Sequence, residues 1–249
     1  MNWKYTVGKT FHATVHSLIR LPGAWRLPLP AKGYCMPFDI LRYQRGQCPG
    51  AIIDAGANVG QTSLYLRRFF PRTRILAFEP VSATYHELRR NTSRYRTIEP
   101  IQTALGAQAG RIEVPLHSNS ELNSLVAGID ESRDLSGQTE TVEVQTLDQV
   151  VCDRAVGPIA LLKSDTQGYD LEVLRGAEGT LAAGQVDFVY VEVNFDKNDK
   201  ECTDFSAVNE FLEGHGFRLS GFYEFFHWGP RKVFFGFCNA LFVNAKRFG

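Results

Sequence analysis

The chain has 249 residues, 44% of them apolar and 12% aromatic, enough to bury a full core in one large domain or in a domain with an N-terminal extension. Lysine plus arginine equals aspartate plus glutamate at 27 each, which excludes a global field that would recruit nucleic acid or an anionic surface; any polyanion site has to be local. Five scattered cysteines, Cys35, Cys48, Cys152, Cys202 and Cys238, form no Cys-x-x-Cys pair and argue against a disulfide framework and a structural zinc site.

A reducing, cytoplasmic setting is therefore expected. His12, His16 and Ser17 interrupt any apolar run at the N-terminus, and nowhere are about 18 consecutive residues apolar, so neither a secretory signal nor a transmembrane segment is predicted. Phe11, Val15, Leu18 and Ile19 recur at helical spacing ahead of the Pro-rich LPGAWRLPLP, Leu21 to Pro30. Residues 1–50 thus read as a helical and Pro-rich extension docked on a main domain of residues 51–249. From Ala51 strands and helices alternate: AIIDAG and a helix from about Gln61 to Phe70, RILAFEP and a helix from about Ala83 to Arg94, then TIEPIQTAL. This order implies a parallel sheet with right-handed crossovers. RIEVPL and TVEVQTL, separated by a polar stretch from His117 to Glu140, predict an antiparallel excursion. The core pattern resumes with IALLKSD, a helix from about Asp170 to Leu181, and VDFVYVEVNF; a helix near Phe205 to Glu213 precedes FRLSGFYEFF and NALFVNAK.

The stretch IIDAGANVGQTSLYL, Ile52 to Leu66, runs from an apolar strand through a glycine-spaced turn into a helix. In an open parallel sheet ligands bind beyond the carboxyl ends of the strands, where strand order reverses, and this brings Asp54, Gly56, Asn58, Gly60 and Glu79 to one crevice. The spacing Gly-x-Asn-x-Gly departs from the Gly-x-Gly-x-x-Gly that cradles a pyrophosphate, and Asp54 would set negative charge beside that phosphate. An acid there suits a cationic ligand. S-adenosylmethionine has an α-ammonium and a sulfonium and no phosphate, and Glu79, roughly 20 residues past the turn, can accept from both ribose hydroxyls. The competing readings are a nicotinamide-dependent oxidoreductase, which lacks the third glycine and conflicts with Asp54, and a catalytically silent adenosyl-ligand binding protein.

DAGANVGQTSLYL followed by AFEP resembles the cofactor-binding segment of Rossmann-like class I methyltransferases. TLDQVV, Thr146 to Val151, and LLKSDTQGYDLEVLRGAEGTL, Leu161 to Leu181, resemble the signature of FkbM-type methyltransferases, a family of O-methyltransferases acting on sugars, glycolipids, polyketides and other natural products. HGF, His215 to Phe217, and NALFVN match the same pattern, so the resemblance covers Ala51 to Asn244. It implies an α/β Rossmann-like class I methyltransferase fold: a mostly parallel seven-stranded sheet with an antiparallel C-terminal strand and a β insertion before the fourth core strand. It further implies S-adenosylmethionine held by Asp54, Gly56, Asn58, Gly60 and Glu79, with Thr103 and Ala104 near the adenine. Many family members have Glu where this chain has the neutral Gln167, so no acidic role transfers to that position.

Methyl transfer from a sulfonium to an alkyl hydroxyl needs alignment of the oxygen and a general base within hydrogen-bond reach. Asp165 follows the IALLKS strand, and Glu192 and Asn194 end the neighbouring FVYVEVN. Asp165 or Glu192 is the expected base. The alternative makes Asp165, Glu192 and Asn194 oxygen ligands of magnesium, which is possible but not favoured. Asp165 has a competing role as cap of the following helix. Lys163 is unusual inside a parallel strand and is expected to pair with an acid. His12 and His16 read as surface residues, Ser118, Asn119 and Asn123 as candidates to address acceptor hydroxyls, and the aromatic run from Phe222 to Phe237 as core packing. The expected partner is a small-molecule or glycan acceptor, with no nucleic acid.

Overall fold

The computed structural model describes residues 31–46, 48–117, 135–196, 199 and 202–248. The expected leader helix of residues 11–19, and Ser118, Asn119 and Asn123, lie outside the described residues. Seven strands form the main path of one sheet: β1 (Ala51–Ala55), β2 (Ile75–Phe78), β3 (Ile98–Ile101), β7 (Ile159–Ser164), β8 (Val186–Asn194), β10 (Phe217–Tyr223) and β13 (Cys238–Asn244). Their spatial order is β10-β13-β8-β7-β1-β2-β3, with the short β9 (Thr203–Asp204) paired to the end of β8. β13 runs antiparallel to both β8 and β10, and the other neighbours along the path are parallel. The expected β insertion is a separate three-stranded sheet of β4 (Ala104–Leu105), β5 (Gly110–His117) and β6 (Leu135–Gln145), with β5 and β6 antiparallel.

β7 and β8 are buried along their whole length because helices cover both faces of the sheet. On one face α4 (Leu147–Asp153), α5 (Asp170–Arg175), α6 (Glu178–Ala182) and α7 (Phe205–Gly214) pack against Ile53, Leu162, Val189 and Val191. On the other, α2 (Gln61–Phe69) and α3 (Ser82–Thr92) pack against Ile52, Leu161 and Phe188. They are joined there by α1 (Met36–Tyr43), whose Phe38, Ile40 and Leu41 are buried in the same cluster. Asp39 anchors α1 by accepting from the Tyr223 hydroxyl at 2.9 Å and from the Gly33 N–H at 2.7 Å.

Two expectations need correction. The helix from Asp170 to Leu181 is two helices, because the backbone of Gly176 abuts the Gly106 carbonyl and the Asp148 carboxylate caps a new start by accepting from the N–H groups of Gly179 and Thr180, each at 2.8 Å. The aromatic run is not uniformly core. Tyr223 is buried, but Phe225, Phe226, Trp228, Phe234 and Phe235 are exposed around a two-stranded hairpin, β11 (His227–Trp228) and β12 (Phe234–Phe235), which leaves the main sheet after β10.

Gly56 shows why glycine follows β1. Its φ is +72° and a Cβ there would lie 1.9 Å from the Asp165 carbonyl oxygen, so the β1 turn and the end of β7 meet backbone to backbone. Gly56→Ala is expected to destabilise the fold by at least about 2 kcal/mol through steric overlap and left-handed strain. Gly110→Ala, with nothing within 4 Å of its added carbon, is the control and should change stability by less than about 0.5 kcal/mol in urea titrations.

Candidate active site

Strand order reverses between β1, whose chain continues through α2 to β2, and β7, which lies on its other side. A cavity of about 300 Å³ opens at the carboxyl ends of these strands. Gly56, Ala57 and Asn58 of the turn after β1 form its floor, and Gly56, Asn58 and the following Gly60 have φ of 72°, 48° and 96°. That geometry aims the Asn58 N–H at Glu79 Oε2, 3.1 Å away, while Glu79 Oε1 accepts from the Val81 N–H at 3.0 Å. Burial pushes the Glu79 carboxyl up to about 7 against the opposing pull of these two bonds. Each oxygen keeps a second lone pair for a ligand hydroxyl.

Gly56, Asn58, Glu79, Thr103 and Ala104 line the cavity on one side, and Asp165 and Glu192 line it on the other. Asp54 and Gly60 do not line it. Gly60 sits at the N-cap of α2, where its α-carbon packs on Leu88. Asp54 is 0% exposed beneath the turn; its Oδ2 accepts from the Ser63 hydroxyl at 2.6 Å and its Oδ1 faces Lys163 Nζ at 3.1 Å.

Lys163 is therefore an internal brace. Its ammonium, 3% exposed, also lies 3.5 Å from Asp165 Oδ2 and donates to the Gly56 carbonyl at 3.2 Å, tying the glycine turn to the end of β7. Burial pulls its pKa down, but the charges of Asp54 and Asp165 outweigh burial and leave it above the ordinary lysine value. Asp165 does not cap α5. The loop beyond β7 is held instead by Asp170, 1% exposed, which accepts from the hydroxyls of Ser164, Thr166 and Thr203 at 2.6, 2.9 and 3.0 Å.

Glu192 has a different setting. Its Oε1 accepts from the Cys202 thiol at 3.3 Å, and burial together with the charges of Asp165 and Asp170 pushes its carboxyl up to about 8. The cavity is thus lined by three acids, Glu79, Asp165 and Glu192, and by no lysine or arginine among the described residues. Such a wall offers a phosphate no cationic partner, while its carboxyl oxygens can accept from ligand hydroxyls and a bound cation would favour their ionised form. The magnesium reading finds no support: no three His, Cys, Asp or Glu side chains among the described residues gather as metal ligands, Asp165 is committed to Lys163, and Asn194 does not line the cavity.

Residues 54–219, running from β1 into β10, match the model of the methyltransferase FkbM domain. The chain belongs to the FkbM methyltransferase family. It is an S-adenosylmethionine-dependent methyltransferase, and the oxidoreductase alternative is set aside. Among similar proteins, Methyltransferase 1 of Beauveria bassiana is 28% identical over 186 residues, covering 68% of this chain and 72% of that one. Methyltransferase sdnD of Sordaria araneosa is 30% identical over 155 residues, covering 51% and 60%. The hexuronic acid methyltransferase AglP of Haloferax volcanii is 27% identical over 171 residues, covering 66% and 65%.

Two features of this methyltransferase escaped the sequence reading. Cys202 touches Glu192 only because β9 returns to pair with the end of β8, and no local pattern announces that contact. Asp170 entered the sequence reading only as the start of a helix, and its grip on the Ser164 to Thr166 loop also engages Thr203 from another element. Gln167, at the family's acidic position, stands in the left-handed region at φ 53° and lines the cavity, its Nε2 3.5 Å from Asp165 Oδ1.

Proposed function

We propose that this methyltransferase is an O-methyltransferase that methylates a hydroxyl of a sugar, glycolipid or polyketide-type natural product. The carrying observation is a cavity at the switch point of a parallel sheet that three acids line and, among the described residues, no lysine or arginine does. S-adenosylmethionine fits that wall, since its net charge is positive and its ribose hydroxyls are donors. In this reading Glu79 accepts from the ribose hydroxyls, the backbone of Gly56 and Asn58 lies along the ligand, and Thr103 and Ala104 flank the adenine. Asp54 and Gly60 act from behind, by bracing the turn through Lys163 and by starting α2. When bound, S-adenosylmethionine supplies an electrophilic methyl group whose departure leaves a neutral thioether.

Glu192 is the base in this proposal. It lines the cavity, has the Cys202 thiol as its hydrogen-bond donor, and has a pKa of about 8, near working pH, which suits a group that takes a proton from a hydroxyl and returns it to water. Asp165 lines the cavity while paired to Lys163, which holds the end of β7 against the glycine turn. The match to a hexuronic acid methyltransferase supports a hydroxylated acceptor.

Calorimetric titration with S-adenosylmethionine, S-adenosylhomocysteine and NAD tests the ligand, and transfer of labelled methyl to a panel of hexuronic acids, sugars and polyketide alcohols tests the acceptor. Binding of the first two and not of NAD is expected. Glu79→Ala should weaken S-adenosylmethionine binding by about 1 to 3 kcal/mol, the range for losing a buried or charged hydrogen-bond partner. Unchanged affinity in that variant would remove Glu79 from the site.

A further inference from the structure

Six of the ten exposed large apolar side chains among the described residues lie between residues 225 and 235: Phe225, Phe226, Trp228, Val233, Phe234 and Phe235. Apolar side chains scattered singly over a surface need no explanation, whereas a contiguous group marks an interaction site. Here they pack into two groups on one hairpin, because neighbours along a strand face opposite sides: Phe226, Trp228 and Phe234 form one group and Phe225 and Phe235 the other. Trp228 packs on Phe234 with ring centres 5.2 Å apart, Phe225 on Phe235 at 6.4 Å, and Phe195, itself 54% exposed, reaches Phe235 at 5.6 Å.

The segment is a built hairpin. Trp228 pairs with Phe234 across β11 and β12, and below them the Phe226 N–H donates to the Phe237 carbonyl at 2.8 Å while the Gly236 N–H donates to the Phe226 carbonyl at 2.9 Å. Its tip, Pro230–Lys232, carries Arg231 and Lys232 in succession at φ of 58° and 54°, a left-handed pair that only surrounding structure can impose on non-glycine residues. Both side chains are exposed, and among the described residues neither has an acidic partner. From Phe225 to Phe237 there is no aspartate or glutamate.

We propose that this hairpin seats the protein on an anionic phospholipid surface, with Trp228 and the phenylalanine rings at the boundary of headgroups and acyl chains and Arg231 and Lys232 among the headgroup phosphates. An amphipathic tryptophan and apolar rings beside exposed cations are the composition of elements that lie in a membrane interface. The two adjacent cations at the tip complement an anionic surface, and a contact with a second copy is the occupant that the oligomeric state tests. The hairpin also sits at the carboxyl edge of the sheet. Cys238, the first residue of β13, is in register with Val193, one residue past Glu192, so seating the hairpin sets the edge that bears the cavity beside the lipid. The proposal concerns binding to lipid and does not depend on which ligand occupies the cavity.

The test uses the full chain with Trp3→Phe and Trp25→Phe, which leaves Trp228 as the remaining tryptophan of three. Phosphatidylcholine vesicles with phosphatidylserine should shift Trp228 emission to the blue and brominated acyl chains should quench it, with much weaker effects when phosphatidylserine is omitted. In co-sedimentation, Arg231→Glu with Lys232→Glu should lose roughly 25-fold in partitioning, at least about fivefold for each basic residue removed from an anionic surface. Trp228→Ser with Phe234→Ser should lose binding as well. Thermal melts check both variants, and the two-lipid comparison on the parent chain decides even where a variant melts early. The proposal is overturned by an unshifted, unquenched Trp228 on phosphatidylserine vesicles, by binding that persists in both double variants, or by a dimer in sedimentation velocity that Trp228→Ser with Phe234→Ser dissolves.

Discussion

Lys163→Met is expected to destabilise the fold by about 3 to 5 kcal/mol, the range for removing one partner of a buried ion pair and stranding the other. Asp54 is fully buried and, among the described residues, its other bond is from the Ser63 hydroxyl, so without the ammonium its charge is left without a counter-ion. The expected loss is seen as a lower urea midpoint at unchanged slope. Asp54→Asn added to Lys163→Met should recover part of it, because the stranded charge is then gone. The pH dependence has a definite sign. Lys163 is raised in the fold, so its contribution is complete below the ordinary lysine pKa of about 10.4 and is lost only as pH rises through the higher folded value. A loss below about 1 kcal/mol would show that the brace is dispensable, since exposed pairs give no more than that.

Glu192→Gln should reduce methyl transfer by about 10²- to 10⁴-fold, the usual contribution of a positioned base, with S-adenosylmethionine affinity retained. In the parent enzyme kcat/KM for the acceptor should rise with pH through about 8, as the carboxyl loses its proton. Cys202→Ala removes the thiol that donates to Glu192 and favours its ionised form, so the rising limb should move to higher pH. Fold stability should run the other way. Glu192 and Glu79 both have raised folded pKa values, so each binds more protons folded than unfolded between about 4.5 and its folded value, and stability falls across that window as pH rises. Transfer by Glu192→Gln within a few-fold of the parent, alongside a large loss in Asp165→Asn, would pass the base role to Asp165.

The acids legible in the sequence were correctly placed at strand ends, but their division of labour was not. Asp54 was read as the acid that meets a cationic ligand, because it precedes the glycine turn; in the structure it pairs with Lys163 beneath the turn, and Glu79, Asp165 and Glu192 are the acids that line the cavity. Lys163 stood out as a cation in an apolar strand, and the expectation that it pairs with an acid agrees with the geometry. The aromatic run misled, because rings at strand spacing look alike in a core and on a surface hairpin.

By itself the sequence determined the alternation of strands and helices, the antiparallel excursion, the glycine-spaced turn after β1 and the family, since each is written in local period or local spacing. Only the tertiary structure decided which carboxylates face the cavity, that Cys202 donates to Glu192, that Gly56 serves a backbone contact with Asp165, and that α1 joins the core beside β1 and β8. Each of these depends on groups from separate elements meeting in space. A side chain's charge partner, burial and pKa follow from that meeting and have no signature in its own neighbourhood along the chain.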